Sequence, residues 1–484
     1  MTAPAIEASA ASGIIQGTGT RVTTASATAT VISDTKAPAF KRTMGLRSVT
    51  MMGLAYMTPI IALGTFGVIA SDSHGAAAMS YLVATIAMLF TANSYGRMSL
   101  LHPESGSAYT YVGKTISRKL GFLVGWAVLL DYMFLPMVVW LIGASYLNAL
   151  FPAVPMWAWI VGYIVLDTGI NILGVNVADK INFVLMAFQA LVIVLFVGLS
   201  IRSVLGGTGT GTLLSLSPFT GQGSSISAIV AGAAVAAYSF LGFDAVTTMS
   251  EETKDPKRTM PRAIMLVAMI GGLIFIGVAY FTQLVHPGGA FVDSSSAAYE
   301  IAMTIGGNLF TSVFVAGLCI GQFTSGIATQ ASASRLMYVM GRDGVLPKKV
   351  FGRLSKRFGT PVPCILIIAA VGLIALFLDV ATSTSFVNFG AFTSFTLVNV
   401  SLIVAYAKSR RNGGSDELGT DGRSVARNVV FPLLGAFFCF YLLMHLDVNA
   451  IVLGLSWLAI GVVILGFLTK GFRTNPPEYA ADAA

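Results

Sequence analysis

Charge is scarce in this chain: Asp, Glu, Lys and Arg together make up 10% of its 484 residues, against about 25% in an ordinary soluble domain. Such a composition cannot be reconciled with a water-facing globule, because 55% of the residues are hydrophobic and one soluble core cannot hide them all. Cysteine is nearly absent as well. Cys319, Cys364 and Cys439 all fall in apolar stretches without a CxxC spacing, so no disulfide framework is implied. The four histidines, His74, His102, His286 and His445, stand apart from one another, and no HExxH or Cys/His cluster occurs; no metal site and no cofactor are expected. No nucleophile–base pair is evident either, and an enzyme is not expected.

What is present is a series of long apolar runs. Strand-type alternation is missing, which argues against a membrane β-barrel, and the expected fold is an all-helical integral membrane protein. Apolar runs place twelve spans near 45–70, 76–101, 119–149, 155–175, 181–203, 225–250, 261–285, 299–335, 361–378, 384–408, 428–445 and 449–470. Residues 1–43 precede them. The first 35 of these are rich in Ala, Thr, Ser and Gly, lack aromatics and carry only Arg21 as a base, so residues 1–43 are expected to be a disordered tail.

Net charge is +8, a sign that nucleic-acid binding would share, but the placement of the bases says otherwise. Assigned to the loops between spans, 28 of the 29 Lys and Arg fall on one side, and Arg202 alone falls on the other. That side is cytoplasmic by the positive-inside rule, with both termini inside the plasma (inner) membrane. The basic excess is therefore read as topology, with a lipid bilayer and not a nucleic acid as the partner.

Two spans look interrupted. Span one contains Gly53-Leu54-Ala55-Tyr56-Met57-Thr58-Pro59, followed by Gly64-Thr65-Phe66-Gly67; span six contains Gly232 to Gly242, then Phe243-Asp244. Pro59 removes a backbone donor, and broken helices near the midplane are how a transporter offers backbone groups to a solute. Interruptions in spans one and six of twelve are the correspondence expected of a five-plus-five inverted repeat.

Ionisable residues inside a bilayer are costly, so Asp131, Asp167 and Asp244 are singled out. With no Lys or Arg placed at mid-depth, the buried field suits a cationic solute, a coupling proton, or both. Asp244 and Asp131 are the candidates for transport. Asp167 is read instead as a carboxyl hydrogen-bonded between helices. Tyr238, Phe243, Tyr132 and Tyr56 are candidate aromatic walls for an ammonium group. The run Thr324, Ser325, Thr329 and Ser332 would either bind an ion or hydrogen-bond to its own helix carbonyls.

These residues also carry a resemblance. Phe240-Leu241-Gly242-Phe243-Asp244-Ala245-Val246-Thr247-Thr248-Met249-Ser250-Glu251-Glu252-Thr253, with Asp255-Pro256-Lys257-Arg258 and Pro261-Arg262, resembles the span-six signature of the amino acid–polyamine–organocation (APC) permeases. Pro103-Glu104-Ser105-Gly106-Ser107, Gly125-Trp126, Leu130-Asp131-Tyr132 and Ser334-Arg335 through Gly341-Arg342-Asp343-Gly344 to Pro347 support it. Within the superfamily, Met52 to Pro59 and Asp131 to Pro136 look most like bacterial putrescine importers.

The resemblance implies the leucine-transporter fold, with repeats over 44–203 and 204–408, two added helices over 409–470 and a cytoplasmic tail at 471–484. It implies secondary active import of a small organic cation of the putrescine or polyamine type by proton symport, with alternating access; an amino acid permease is the alternative. The solute would lie against Thr58, Gly64, Thr65, Asp131, Tyr132, Tyr238, Ser239 and Phe243. Asp244 and Asp131 would couple the proton, which is favoured over sodium. Two departures from the pattern bear on substrate. Span one lacks the Gly-Ser-Gly break whose amides hold a carboxylate in amino acid permeases. Gly64 stands where putrescine importers tend to carry an acidic residue.

Overall fold

In the computed structural model, residues 44–102, 108–174, 179–342, 344–411, 418–419 and 421–476 are described. The expected tail at 1–43, the Pro103–Ser107 stretch, Asp343 and residues 477–484 lie outside them, as do the side chains of Lys180, Thr248, Glu251 and Glu252. Among the described residues all regular secondary structure is helical, apart from an isolated bridge pairing Met44 with Thr253.

The first apolar run forms α1 (Leu46–Met57), α2 (Ile61–Gly64) and α3 (Phe66–Asp72). Then follow α4 (Ala77–Leu101), the short α5 (Ala108–Thr115), α6 (Arg118–Leu150), α7 (Met156–Leu173) and α8 (Asp179–Leu205). The sixth run begins as α9 (Ile226–Ala236) and continues as two 3₁₀ segments, Ala237–Phe240 and Ala245–Glu252. Beyond them lie α10 (Pro256–Val285), α11 (Ala297–Arg342), α12 (Val362–Phe377), α13 (Val380–Arg411), α14 (Gly422–Leu443) and α15 (Val448–Leu468). Eleven of these runs are long and apolar enough to cross a membrane, and Val362–Phe377 is a shorter apolar helix.

Burial sorts the helices into an inner and an outer set. In α6, α13 and the run from α9 to Thr247, 67% of the apolar window is buried, whereas in α15 it is 17%. A helix that is apolar all round yet mostly uncovered faces hydrocarbon. The inner helices are joined by polar side chains. Asn399 of α13 accepts from the Ser94 hydroxyl at 2.6 Å and donates to Thr91 Oγ1 at 3.0 Å, both on α4. Asn388 of α13 donates to the Ala234 carbonyl of α9 at 2.7 Å. Such bonds hold membrane helices together because lipid offers no alternative partner.

Asp167 belongs to this scaffold. Its Oδ2 accepts from Trp140 Nε1 of α6 at 2.6 Å, and Gly326 of α11 packs directly on that bond. Beside it on α7, Thr168 accepts from Gln330 of α11, which in turn accepts from Asn171, one turn along from Asp167. The carboxyl hydrogen-bonded between helices, anticipated from the sequence, is what stands there.

Loop charges separate by end. Lys348, Lys349, Arg353, Lys356 and Arg357 cluster between α11 and α12, while Asp72, Asp293, Glu300, Asp379 and Asp447 lie at the opposite end of the bundle. There the 286–296 loop closes over α3: the Ser71 hydroxyl donates to the Gly289 carbonyl at 2.8 Å, and Gly67 is packed against Ala297 and Ser294. Burial, together with the neighbouring Asp379 and against the influence of His74, pushes the Asp72 carboxyl up from 3.8 to about 6.

Two predictions follow from this architecture. Asp167→Asn keeps an acceptor for Trp140 and is expected to melt near the wild type in detergent; Asp167→Leu, which strands the indole N–H, and Gly326→Ala, which wedges the pair apart, should each cost about 1–3 kcal/mol. Equal thermal stability of all three variants would refute the strut. For Asp72, the folded chain binds the proton more tightly than the unfolded chain does. The stability this contributes is complete below about pH 4 and lost as pH rises through about 6. Asp72→Asn should therefore raise stability by about 1–2 kcal/mol at neutral pH and leave it unchanged near pH 4, read as a pH series of melting temperatures.

Candidate functional site

The two interruptions sit side by side. Thr58 adopts a left-handed conformation, with φ of 48°, and its N–H folds back to the Ala55 carbonyl at 3.2 Å. A β-branched residue at positive φ is strained, and Pro59 prevents the helix from resuming at once. In the other strand of the site, Leu241 is extended and Gly242 turns at φ of 106°. The Tyr56 ring packs onto Gly242 where a Cβ would otherwise stand, so this turn needs glycine for both its angle and its clearance.

Between the breaks lies a small pocket of about 40 Å³, walled by Met57, Thr58 and Ile61 of the first interruption, Tyr238 and Leu241 of the second, Leu135 and Val139 of α6, and Gln322, Ser325 and Thr329 of α11. It continues into a vestibule of about 570 Å³ that shares Tyr56, Thr58, Ser325 and Thr329 with it and runs past Asn171, Ser332 and Arg335 to Phe358 and Thr360. The vestibule thus leads to the end of the bundle that carries the basic 348–357 loop. Toward the acidic end the pocket is closed: Tyr146 of α6 donates to the Leu63 carbonyl at 2.7 Å, and Tyr238 is buried.

Several sequence-selected residues meet here, and others do not. Thr58, Tyr238 and Tyr56 line the pocket. Asp131 and Asp244 line neither cavity. They lie one helical turn beyond Leu135 and close to Leu241 respectively, near enough to each other and to Tyr56 to interact electrostatically. Asp131 backs onto Gly390 of α13, and its Oδ1 is buried without a hydrogen-bond partner. Asp244 lies within reach of the backbone N–H groups of Gly242 and Ala245. Tyr56 therefore stands between the vestibule and a pair of carboxylates.

Five of the expected solute contacts, Gly64, Thr65, Tyr132, Ser239 and Phe243, line neither cavity. Gly64 is buried, facing Ile142 of α6 and Leu318 of α11. The Thr65 hydroxyl donates to its own helix at Ile61 and meets the Tyr81 hydroxyl, which meets Ser239 at 3.0 Å; Thr65 and Ser239 thus belong to a buried hydroxyl chain that joins α2, α4 and the sixth run. Phe243 is fully buried between Tyr95 of α4 and Phe395 of α13. Tyr132 lines neither cavity. In α11, Thr324 and Thr329 donate to carbonyls of their own helix, the second of the two alternatives for that hydroxyl run.

Sequence reasoning missed Leu135, Val139, Leu241 and above all Gln322. A signal was available for the last: an amide within Cys319-Ile320-Gly321-Gln322-Phe323 is a polar group that an apolar span must satisfy, as it satisfies Asn388, Asn399 and Gln330.

The backbone of the site favours positive charge. The N–H groups of Ala62, Leu63, Gly64 and Thr65 all donate to carbonyls of the same turn, at 3.0 to 3.3 Å, so none is left for a solute carboxylate. The longer helices α1 and α9 instead end at the breaks, and the end of a helix carries its negative pole.

The chain was compared with known proteins. The family described as amino acid permease matches residues 48–469. The low-affinity putrescine importer PlaP of Escherichia coli (strain K12) is 38% identical over 451 residues, covering 93% of this chain and 98% of that protein. The branched-chain amino acid permease BcaP of Bacillus subtilis (strain 168) is 25% identical over 453 residues, 88% and 92% of the two chains, and the methylthioribose transporter of the same organism is 26% identical over 459 residues, 90% and 95%.

Proposed function

The chain belongs to the amino acid permease family, membrane transporters rather than enzymes, and from that premise we propose that it imports a small organic cation of the putrescine type by proton symport. The observation that carries this reading is the pair of buried carboxylates, Asp131 and Asp244, set beside two interrupted helices. Buried carboxyl groups of this kind hold a proton readily, and one that gives it up attracts an ammonium group strongly in the low-dielectric interior. The spent amides of Ala62 to Thr65 argue in the same direction, since an α-amino acid would need them for its carboxylate.

On this reading the solute enters the pocket with its methylenes against Leu135, Val139 and Leu241. Its ammonium meets the carbonyl end of α1 and the faces of Tyr56 and Tyr238. Asp131 supplies the countercharge from one turn away. Asp244 takes up a proton and, by gaining or losing its charge next to the N–H groups of Gly242 and Ala245, shifts the turn on which Tyr56 rests. Of twelve spans, with α12 as the ninth, ten form inverted repeats over 44–203 and 204–408, and 409–470 supplies the other two. The basic end is cytoplasmic, as are both termini, in the inner membrane. The vestibule is then the inward exit, and rocking of one repeat against the other alternates access. Gly64 explains why the charge lies where it does: an acidic side chain there would press into Ile142 and Leu318.

The test is uptake of labelled putrescine in cells lacking their own importers, at two external pH values, with lysine, glutamate and neutral amino acids as competitors. Saturable, acid-stimulated uptake blocked only by amines is expected. Asp244→Asn should abolish the acid stimulation at unchanged surface expression, and Asp131→Asn should raise KM for the amine about tenfold, the equivalent of about 1.4 kcal/mol. Uptake of amino acids but not amines would establish the permease alternative instead. Wild-type kinetics in both variants would remove the carboxylates from the mechanism.

A further inference from the structure

One polar side chain in the pocket wall remains without a role. Gln322 of α11 lines the pocket between the breaks, is 1% exposed, and has its Nε2 buried without any hydrogen-bond partner. An amide left unpaired in a low-dielectric interior is destabilising, and a methionine would fill the same volume without that penalty. Its oxygen and nitrogen exchange places by a simple flip, so the group can present either a donor or an acceptor to whatever lies beside it. Ser325 and Thr329 share its helix face, at three and seven residues on, which sets Gln322 roughly 10 Å along the axis from Thr329. The Thr329 hydroxyl is already spent on the Ser325 and Gly326 carbonyls.

The remaining walls are apolar or aromatic apart from Thr58, Ser325 and Thr329, and no carboxylate lines the pocket. Asp131 and Asp244 sit beyond Leu135 and Leu241, toward the inner ends of their helices, whereas Gln322 lies near the middle of α11, three residues past Cys319, whose thiol meets the Gly143 carbonyl of α6, and so lies outward of both. A solute with an ammonium at each end therefore has the two buried carboxyl groups nearer one end and a neutral amide at the other. We propose that Gln322 is the specificity-determining residue of this site, accepting the distal ammonium of an α,ω-diamine through its amide oxygen. The inference rests on the cationic-solute reading and adds to it a division of labour: charge recognises the amine common to all such solutes, and Gln322 recognises the second polar end. Because an amide gives up the Coulomb term that a carboxylate would supply, the second ammonium is held weakly, and the site tolerates solutes in which that end is uncharged.

The experiment is calorimetric binding of putrescine, n-butylamine and leucine to the purified full-length protein. Gln322→Glu supplies the missing charge and is expected to tighten putrescine at least tenfold while leaving n-butylamine within threefold. Gln322→Met removes the hydrogen bond at constant volume and should weaken putrescine five- to tenfold, again sparing the monoamine. If the glutamate variant fails to accumulate, the methionine variant alone decides. Parallel shifts for both amines, or none for either, overturn the assignment of Gln322 and leave amine transport standing. A wild-type protein that binds leucine and neither amine overturns both.

Discussion

Backbone polar groups freed inside a bilayer must find partners within the protein, and the rest of this molecule is arranged around that requirement. Helix α1 stops at Thr58 and the sixth run loses its α-helical path after Ala236. Both breaks are tolerable only because α6, α11 and α13 wrap them and because the gap between them is a cavity rather than lipid. The buried polar bonds of Asn388, Asn399 and Asp167 are the counterpart of the breaks. They fix the inner helices so that two short non-helical stretches can stay where they are without neighbouring helices closing over them.

From this constraint the electrostatics follow. Two helices that end at the breaks direct their negative poles there, and the turn of α2 consumes its own amides, so the amides of Ala62 to Thr65 offer no donor at the site. Asp131 and Asp244 add two buried carboxyl groups without facing the cavity. Their separation from it matters, because a carboxylate in direct contact with the solute would be occupied whenever the solute is bound. One placed behind Tyr56 still feels the solute through the low-dielectric wall while keeping contact with the Gly242 turn. Charge and backbone geometry are thereby connected through a single aromatic ring.

Much of the fold could be read directly from sequence, because length, hydropathy and the alternation of basic loops constrain one another. Pro59 and Gly242 marked the interruptions, for a missing N–H and a positive φ are local properties. The strained Thr58 was not predictable in the same way: a β-branched residue takes that angle only when surrounding helices impose it. The binding wall was less legible. Thr65 and Ser239 looked like solute ligands, yet Tyr81, from a helix distant in sequence, joins them into one hydroxyl chain. Phe243 looked like an aromatic wall, but Tyr95 and Phe395 claim its ring. In each case the face a side chain presents is decided by a partner that periodicity cannot reveal.

Gln322 shows the opposite error. Attention to formal charge selected three aspartates and passed over a neutral amide in an equally apolar run. In hydrocarbon, however, an amide with nothing to bond is also a liability, and its retention in a pocket wall calls for the same question that a carboxylate raises. The difference is one of strength and selectivity: a charge attracts every cation within range, while an amide acts only on a group brought into hydrogen-bonding geometry. A pocket that places charge behind one wall and an amide in another can draw in amines broadly and still distinguish their far ends.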